Sequence, residues 1–357
     1  MKQRIISVSR RTDIPAFYGN WFMNRVKAGF AGYVNPFGGQ KYLVDLRPES
    51  VMCFAFWSKN YAPFLPHLRT LTAMGYRSFL NFTITGLPKA FECNLVDTDE
   101  AIGTLKSLAG LFSPQHISWR YDPIVISDHT PFDWHVERFG NLASRLHGAT
   151  ERCYFSFAIQ YGKVQRNFDD FQRRNPVHIE DPDLEARRRL ADQLADIAVA
   201  HGMTLYTCCG DLLVGKRIRK AHCVDGDIIR SLYDPSGAVF KTVPTRKECG
   251  CAESTDIGAY DTCPHGCIYC YANVNKDKAC QANRRHDPAA PFLGFSREQG
   301  EVWEQECRDA RHYQHPSRRY EALPGRARVR VRARPSEEIP EQARRNKDHC
   351  SLRGQGR

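Results

Sequence analysis

Short apolar runs rich in β-branched and aromatic residues recur along this chain, and between them lie longer stretches with helical periodicity. Strands joined through helices pair in parallel, because each connection must cross the face of the sheet before the next strand begins. The expected strands are Ile5–Ser9, Tyr33–Asn35, Val51–Trp57, Ser78–Ile84, His116–Trp119, Cys153–Ile159 and Met203–Cys208, with Ser254–Tyr260 as one more. The expected helices are Trp21–Ala28, Ala62–Met74, Thr98–Leu111, Phe132–Leu146 and Leu184–His201. Seven or eight such units predict an α/β fold, a TIM-type (β/α) barrel over residues 1–295 with a cysteine-rich loop at 249–270 near its end. A doubly wound open sheet satisfies the same periodicity, which does not distinguish a ring from an open sheet.

In a β/α barrel the functional groups gather at the C-terminal ends of the strands. Those ends read Arg10-Arg11-Thr12-Asp13, Asn35-Pro36, Trp57-Ser58-Lys59-Asn60, Arg120-Tyr121-Asp122-Pro123 and Cys208-Cys209. Polar, charged and thiol groups thus recur just where the apolar runs stop. The adjacent guanidiniums of Arg10 and Arg11 repel each other unless an anion lies between them, so with Asp13 they are candidate ligand-binding residues. An ion pair of Asp13 with one of the arginines is the structural alternative.

The last expected strand runs into Cys263-Pro264-His265-Gly266-Cys267-Ile268-Tyr269-Cys270. Three thiols at this spacing let one tight loop hold three irons of a 4Fe-4S cluster and leave the fourth iron open to a ligand, and Tyr269 suits a flat ligand beside it. A structural zinc site is the alternative, since Cys249-Gly250-Cys251 lies close enough to supply a fourth thiolate. Cys209, Cys223, Cys249 and Cys251 form a candidate second metal site. Cys208 and Cys209 end a strand and are expected to point in opposite directions, so that at most one faces the site.

Fourteen cysteines in 357 residues do not suggest a disulfide scaffold, because the chain is long, 42 % apolar and opens on Met1-Lys2-Gln3-Arg4 without an apolar signal core. Reduced thiols and a cytoplasmic location are expected, and no run approaches the roughly 20 apolar residues of a membrane span. The formal charge of +11 is uneven. From Ser296 to Arg357 there are fifteen Arg or Lys against ten Asp or Glu, so residues 296–357 read as a basic, poorly ordered extension. Its Arg326–Arg334 run could coat phosphate, which keeps nucleic acid among the expected partners.

The string His265-Gly266-Cys267-Ile268-Tyr269-Cys270-Tyr271-Ala272 resembles the cluster loop of the spore photoproduct lyase branch of the radical S-adenosylmethionine (SAM) enzymes. Together with Ser9–Tyr18, Phe56–Asn60 and Asp256–Cys263, it resembles domain-of-unknown-function family 1848 over about residues 2–295. The resemblance implies a radical-SAM-like iron–sulfur enzyme that takes SAM as cofactor and draws on a one-electron donor such as flavodoxin or ferredoxin. It supplies no substrate. In ordinary radical SAM enzymes the cysteine loop follows the first strand, whereas here it follows the last. A closed barrel reconciles the two, because its last strand lies beside its first. On that arrangement Arg10, Arg11 and Asp13 grip the SAM carboxylate and amine, and Tyr269 lies against its adenine. The reading from another class is a zinc- or iron–sulfur-stabilised binding protein, nucleic acid its ligand, without catalysis.

Overall fold

The computed structural model describes residues 3–309 apart from residues 161, 235, 236, 238 and 244–247. Eight strands form one sheet: β1 Arg4–Val8, β2 Val51–Ser58, β3 Ser78–Thr83, β4 Ile117–Ile124, β5 Arg152–Phe157, β6 Thr204–Thr207, β7 Ile218–Lys220 and β8 Ser254–Asp256. Every neighbouring pair is parallel, and the order is β7-β6-β5-β4-β3-β2-β1-β8. Strands therefore lie in chain order, with the last carried round to the far side of the first. Ile5 of β1 is paired with Ser254 of β8 and Ser7 with Asp256. Among the described residues no ladder joins β7 to β8, so the sheet's hydrogen bonding does not close into a ring.

Alternate residues of each strand enter two different cores, as the pleat requires. Phe54, Phe56, Leu80, Phe82, Trp119, Tyr121 and Phe155 pack against the helices. Their neighbours Ile5, Cys53, Ala55, Phe79 and Tyr154 join Ala221, Cys223, Val224, Ile229, Cys251 and Ala252 in a second core on the other face. The chain between β7 and β8 fills that inner face. Asn81 Nδ2 on β3 donates to Cys223 O at 3.3 Å, and Tyr233 Oη donates to Ser78 O at 2.6 Å. β3 and β7 stand four places apart in the ladder, so these contacts require the sheet to curve around the filling segment. Ala252 N donates to Val224 O at 2.9 Å, which brings the flanks of the two edge strands together without a ladder.

Helices α1 Gly19–Ala28, α2 Leu65–Ala73, α3 Thr98–Leu111 and α4 Phe132–Leu146 cover the outer face in turn; α5 Gly162–Arg174 packs with the cysteine loop, α6 Leu184–Ala200 returns to the outer face and α7 Gly226–Tyr233 lies in the inner core. Phe22 of α1 meets Phe54 and Phe56 edge-on at 5.1 and 5.6 Å, and Phe139 of α4 stacks on Trp119 at 4.9 Å. The expected strand Tyr33–Asn35 does not enter the sheet. Gly39 N donates to Asn35 O at 2.8 Å and Gly39 adopts φ +71°, so the chain turns back at once and Phe30–Val34 pairs antiparallel with Lys41–Asp45. The eighth place in the sheet belongs instead to β7, whose Ile-Arg-Lys has no apolar run to announce it.

After β8 come α8 Lys276–Arg285 and α9 Arg297–Asp309. Trp303 of α9 packs on Phe292 and Phe295, and Lys41 of the hairpin pairs with Glu306 at 2.8 Å. The rest of the basic extension, residues 310–357, lies outside the described residues. Among those described, no helix is long and apolar enough to cross a membrane.

His135 anchors the start of α4 beneath β4: Nε2 donates to Val125 O at 3.0 Å and Nδ1 accepts from Tyr121 Oη at 2.7 Å. Burial pushes its imidazole down to about 4, and burial likewise pushes His286 down to about 4. Both rings stay neutral in the fold while the unfolded chain takes up protons near pH 6.5, so their contribution is present above pH 6.5 and lost as pH falls toward 4. The loss expected for His135 is about 3 kcal/mol. Urea unfolding between pH 7 and pH 4.5 should show this decline, and His135→Gln should remove about half of the slope that the two histidines share. An unchanged slope in the variant would contradict the assignment.

Candidate cofactor site at the strand ends

A cavity of about 1220 Å³ opens at the C-terminal ends of the strands. Its wall takes Ser9–Asp13 after β1, Trp57–Lys59 from β2, Thr83 from β3, Arg120 and Asp122 from β4, and Asp256 from β8. Cys263, Cys267 and Cys270 line the same space. The strand-end residues anticipated from the sequence and the cysteine loop thus meet in one place, because the pairing of β8 with β1 carries the loop to the mouth that β1 also reaches.

The loop is held by bonds to its backbone. Asn94 Nδ2 donates to Pro264 O at 2.8 Å, Asn273 Nδ2 to Cys263 O at 2.6 Å, and Ile268 N to Phe91 O at 3.0 Å. Gly266 takes φ +74°, and a Cβ there would stand 2.5 Å from Cys93 Sγ, so the turn that separates Cys263 from Cys267 requires glycine. Burial raises all three loop thiols above the usual range, Cys267 to about 12, with the positive charge of Lys59 acting against it.

Asp13 ties the loop to two strand ends. Its Oδ1 accepts from Ala16 N at 3.0 Å and Ser58 Oγ at 2.7 Å, and its Oδ2 accepts from Lys59 N at 2.8 Å and His265 Nε2 at 2.7 Å. Four bonds fill the acceptor positions of a carboxylate. The expected grip of Asp13 on a ligand amine is therefore replaced by a structural role: it caps the turn Ile14–Phe17 and fixes Lys59 and His265. His265 Nδ1 is buried and has no hydrogen-bond partner among the described residues.

Glu92, which no sequence signal singled out, is the second buried anchor. It accepts from Lys59 Nζ at 2.8 Å, from Thr85 Oγ1 at 2.8 Å and from Tyr269 Oη. Lys59 Nζ lies 5.4 Å from the centre of the Tyr269 ring. Burial by itself lowers the Lys59 ammonium, and the charges of Glu92 and Cys267 more than reverse that, raising it above its ordinary value.

The carboxylate between Arg10 and Arg11 is Asp256, not Asp13. Each Nε stands 3.7 Å from an Asp256 oxygen, and Asp256 also accepts from Ser7 Oγ at 2.7 Å, Ser9 Oγ at 2.5 Å, Arg10 N at 2.9 Å and Gly258 N at 3.0 Å. Burial pushes this carboxyl up, but Arg11 and Arg10 outweigh it and hold it below the usual carboxylate range. Both guanidiniums line the cavity beside this carboxylate.

The second cysteine group faces the same cavity, through Cys208, Cys209, Cys223, Cys249 and Cys251. The expectation that only one of Cys208 and Cys209 faces the site fails for a local reason: β6 ends at Thr207, and Cys209 takes φ +51°, which breaks the alternation of the pleat. Cys208 Sγ lies 3.3 Å from Cys223 Sγ. Among the described residues, no group of three or more His, Cys, Asp or Glu side chains stands so that it could hold a metal ion without rearrangement.

A family model described as a domain of unknown function, DUF1848, matches residues 5–272, from β1 to just past Cys270. No curated protein and no solved structure matches the chain.

Removing a buried carboxylate that holds four donors leaves each of them without its partner. Asp13→Ala should cost about 3–5 kcal/mol in denaturant unfolding and should speed alkylation of Cys263, Cys267 and Cys270, because His265 and Lys59 lose their common anchor. Wild-type stability together with wild-type alkylation rates would refute the role given to Asp13.

Proposed function

Since the chain belongs to the DUF1848 family, whose description names no reaction, we propose from the cavity itself that the protein is a radical-SAM-like iron–sulfur enzyme. In this reading the curved parallel sheet is the wall of a TIM-type barrel, and Cys263, Cys267 and Cys270 hold a 4Fe-4S cluster that leaves one iron open. When bound, such a cluster supplies one electron to SAM at its open iron and so initiates hydrogen abstraction from a substrate. The observation that carries the reading is that the three loop thiols, the polar ends of several strands and a 1220 Å³ space share one wall.

The chemistry of the residues at the cavity supports this reading. Burial and mutual repulsion hold the three loop thiols protonated unless positive charge lies among them, as a bound cluster would supply, and Lys59 beside Cys267 already acts in that direction. The buried, unpartnered Nδ1 of His265 leaves an acceptor next to the loop. Arg10 and Arg11, held on Asp256, line the cavity with guanidinium groups of the kind that bind the carboxylate of an amino-acid-bearing cofactor. Tyr269, held by Glu92 and covered by Lys59, presents a fixed aromatic group at the cavity rather than a mobile one. Asp13 and Glu92 act by positioning, each through residues that reach the cavity. Ala221, Cys223 and Cys251 of the inner core line the cavity, an apolar floor of the kind that limits water at a reacting centre.

A one-electron donor such as flavodoxin or ferredoxin is required by this chemistry, and a reducing, cytoplasmic setting suits it. The other reading is a metal-stabilised nucleic-acid-binding protein. It draws on Lys163 and Arg166 at the cavity and on the basic run Arg326–Arg334, which lies outside the described residues.

The test is electron paramagnetic resonance of the reduced protein after anaerobic reconstitution with iron and sulfide, with and without SAM. The expected result is a 4Fe-4S signal that shifts on addition of SAM and is lost in Cys267→Ala. Zinc in place of iron, or salt-sensitive nucleic-acid binding that survives Cys267→Ala with no response to SAM, would overturn the enzyme reading in favour of the binding protein.

A further inference from the structure

The hydrogen-bond ladder of the sheet is open between β7 and β8, and the second cysteine group is delivered to that opening by three separate segments. Cys208 follows β6, Cys223 follows β7, and Cys249 and Cys251 lead into β8. Cys208, Cys223 and Cys251 are buried within the inner core, with Cys249 packed against it. Val224 N donates to Cys251 Sγ at 3.4 Å, and Cys223 hydrogen-bonds to both Cys208 and Cys251, so one sulfur sits at the centre of the group. The segment before β8 is extended: Val243 N donates to Cys251 O at 3.0 Å, and Thr242 bridges to Ala252. Cys249 packs against the inner core beside Cys251 and lines the same cavity.

The surroundings are those of an anionic group. Arg120, 6 % exposed, donates from Nη1 to Cys223 Sγ at 3.1 Å. Arg10 interacts electrostatically with Cys251 and Cys223. Arg120 is also paired with Asp122 and Arg10 with Asp256, and both guanidiniums stand where they would offset the negative charge of metal-bound thiolates.

We propose that Cys208, Cys223, Cys249 and Cys251 form a second thiolate-ligated metal centre, which clasps the two open edges of the sheet where no ladder joins them. Its ligand class is a soft metal, either a zinc ion or a second iron–sulfur cluster, and the assignment does not depend on what the Cys263–Cys270 loop binds. As thiols the sulfurs lie against one another. Two ligands of one tetrahedral zinc stand about 3.8 Å apart, given bonds of about 2.3 Å, so loading displaces the thiol protons and parts Cys208 from Cys223 by about half an ångström.

The experiment uses the full chain carrying Cys263→Ala, Cys267→Ala and Cys270→Ala, purified anaerobically and loaded in one arm with zinc alone and in the other with iron and sulfide. Metal analysis and absorption spectra should find a centre retained in one arm, which identifies the metal, and that centre should be lost when Cys223→Ser and Cys251→Ser are added. No retained metal in either arm, or retention after the two further substitutions, would overturn the proposal. The unaltered chain provides a check independent of folding in the variants: alkylation at Cys208, Cys223, Cys249 and Cys251 should rise when a chelator withdraws the metal, and an unchanged rate would count against the clasp. Cys223→Ser with Cys251→Ser in an otherwise unaltered chain tells the two sites apart, since a SAM-dependent signal from the loop should persist there.

Discussion

The Asp13 carboxylate is the joint on which the site depends. It follows β1, bonds the end of β2 through Ser58 and Lys59, and bonds the cysteine loop through His265, 252 positions away in the chain. A buried carboxylate with four donors is stable only while all four are in place, so the three segments are fixed together or not at all. Asp256 performs the corresponding task at the neighbouring edge, where it gathers the two serines and two arginines at the end of β1 onto β8. Through these two acids the first, second and last strands of the sheet share a single polar rim.

That rim explains how a cysteine loop placed late in the chain can serve a cavity built from early strands. β8 pairs with β1, so chain order and spatial order differ only by a rotation around the sheet. The loop then needs no long connection: it leaves β8 directly, and Glu92 and Asn94 from the segment after β3 receive it. Lys59 lies between Glu92 and the aromatic face of Tyr269, which links the end of β2 to the same loop.

The sequence made the parallel sheet legible because buried parallel strands are continuous apolar runs, and β2, β3 and β5 are the clearest of them. It made the loop legible because thiol spacing is a direct geometric signal. The rule that functional residues cluster at strand ends points to Arg10, Arg11, Asp13 and Lys59, all of which line the cavity. What the sequence hid was pairing across long separations. Nothing near Glu92 in the chain announces that it meets Tyr269, and nothing near Asp256 announces that it, and not Asp13, lies between the arginines. β7 was missed because three residues, two of them cationic, carry no apolar pattern. Tyr33–Asn35 was misassigned because the turn at Gly39 decided its partner, and Cys208 was set aside because a left-handed Cys209 broke the alternation on which that argument relied.

On the reading proposed above, the Cys263–Cys270 loop presents an incompletely ligated metal cluster to the strand-end cavity. The most direct measurement is an anaerobic crystal structure of the iron-loaded protein, with anomalous diffraction recorded on both sides of the iron absorption edge. The expected result is iron density bonded by Cys263, Cys267 and Cys270 alone, with one iron facing the cavity lined by Arg10, Arg11 and Tyr269. Density for a single ion closed by four protein ligands, or no iron at the loop, would contradict it.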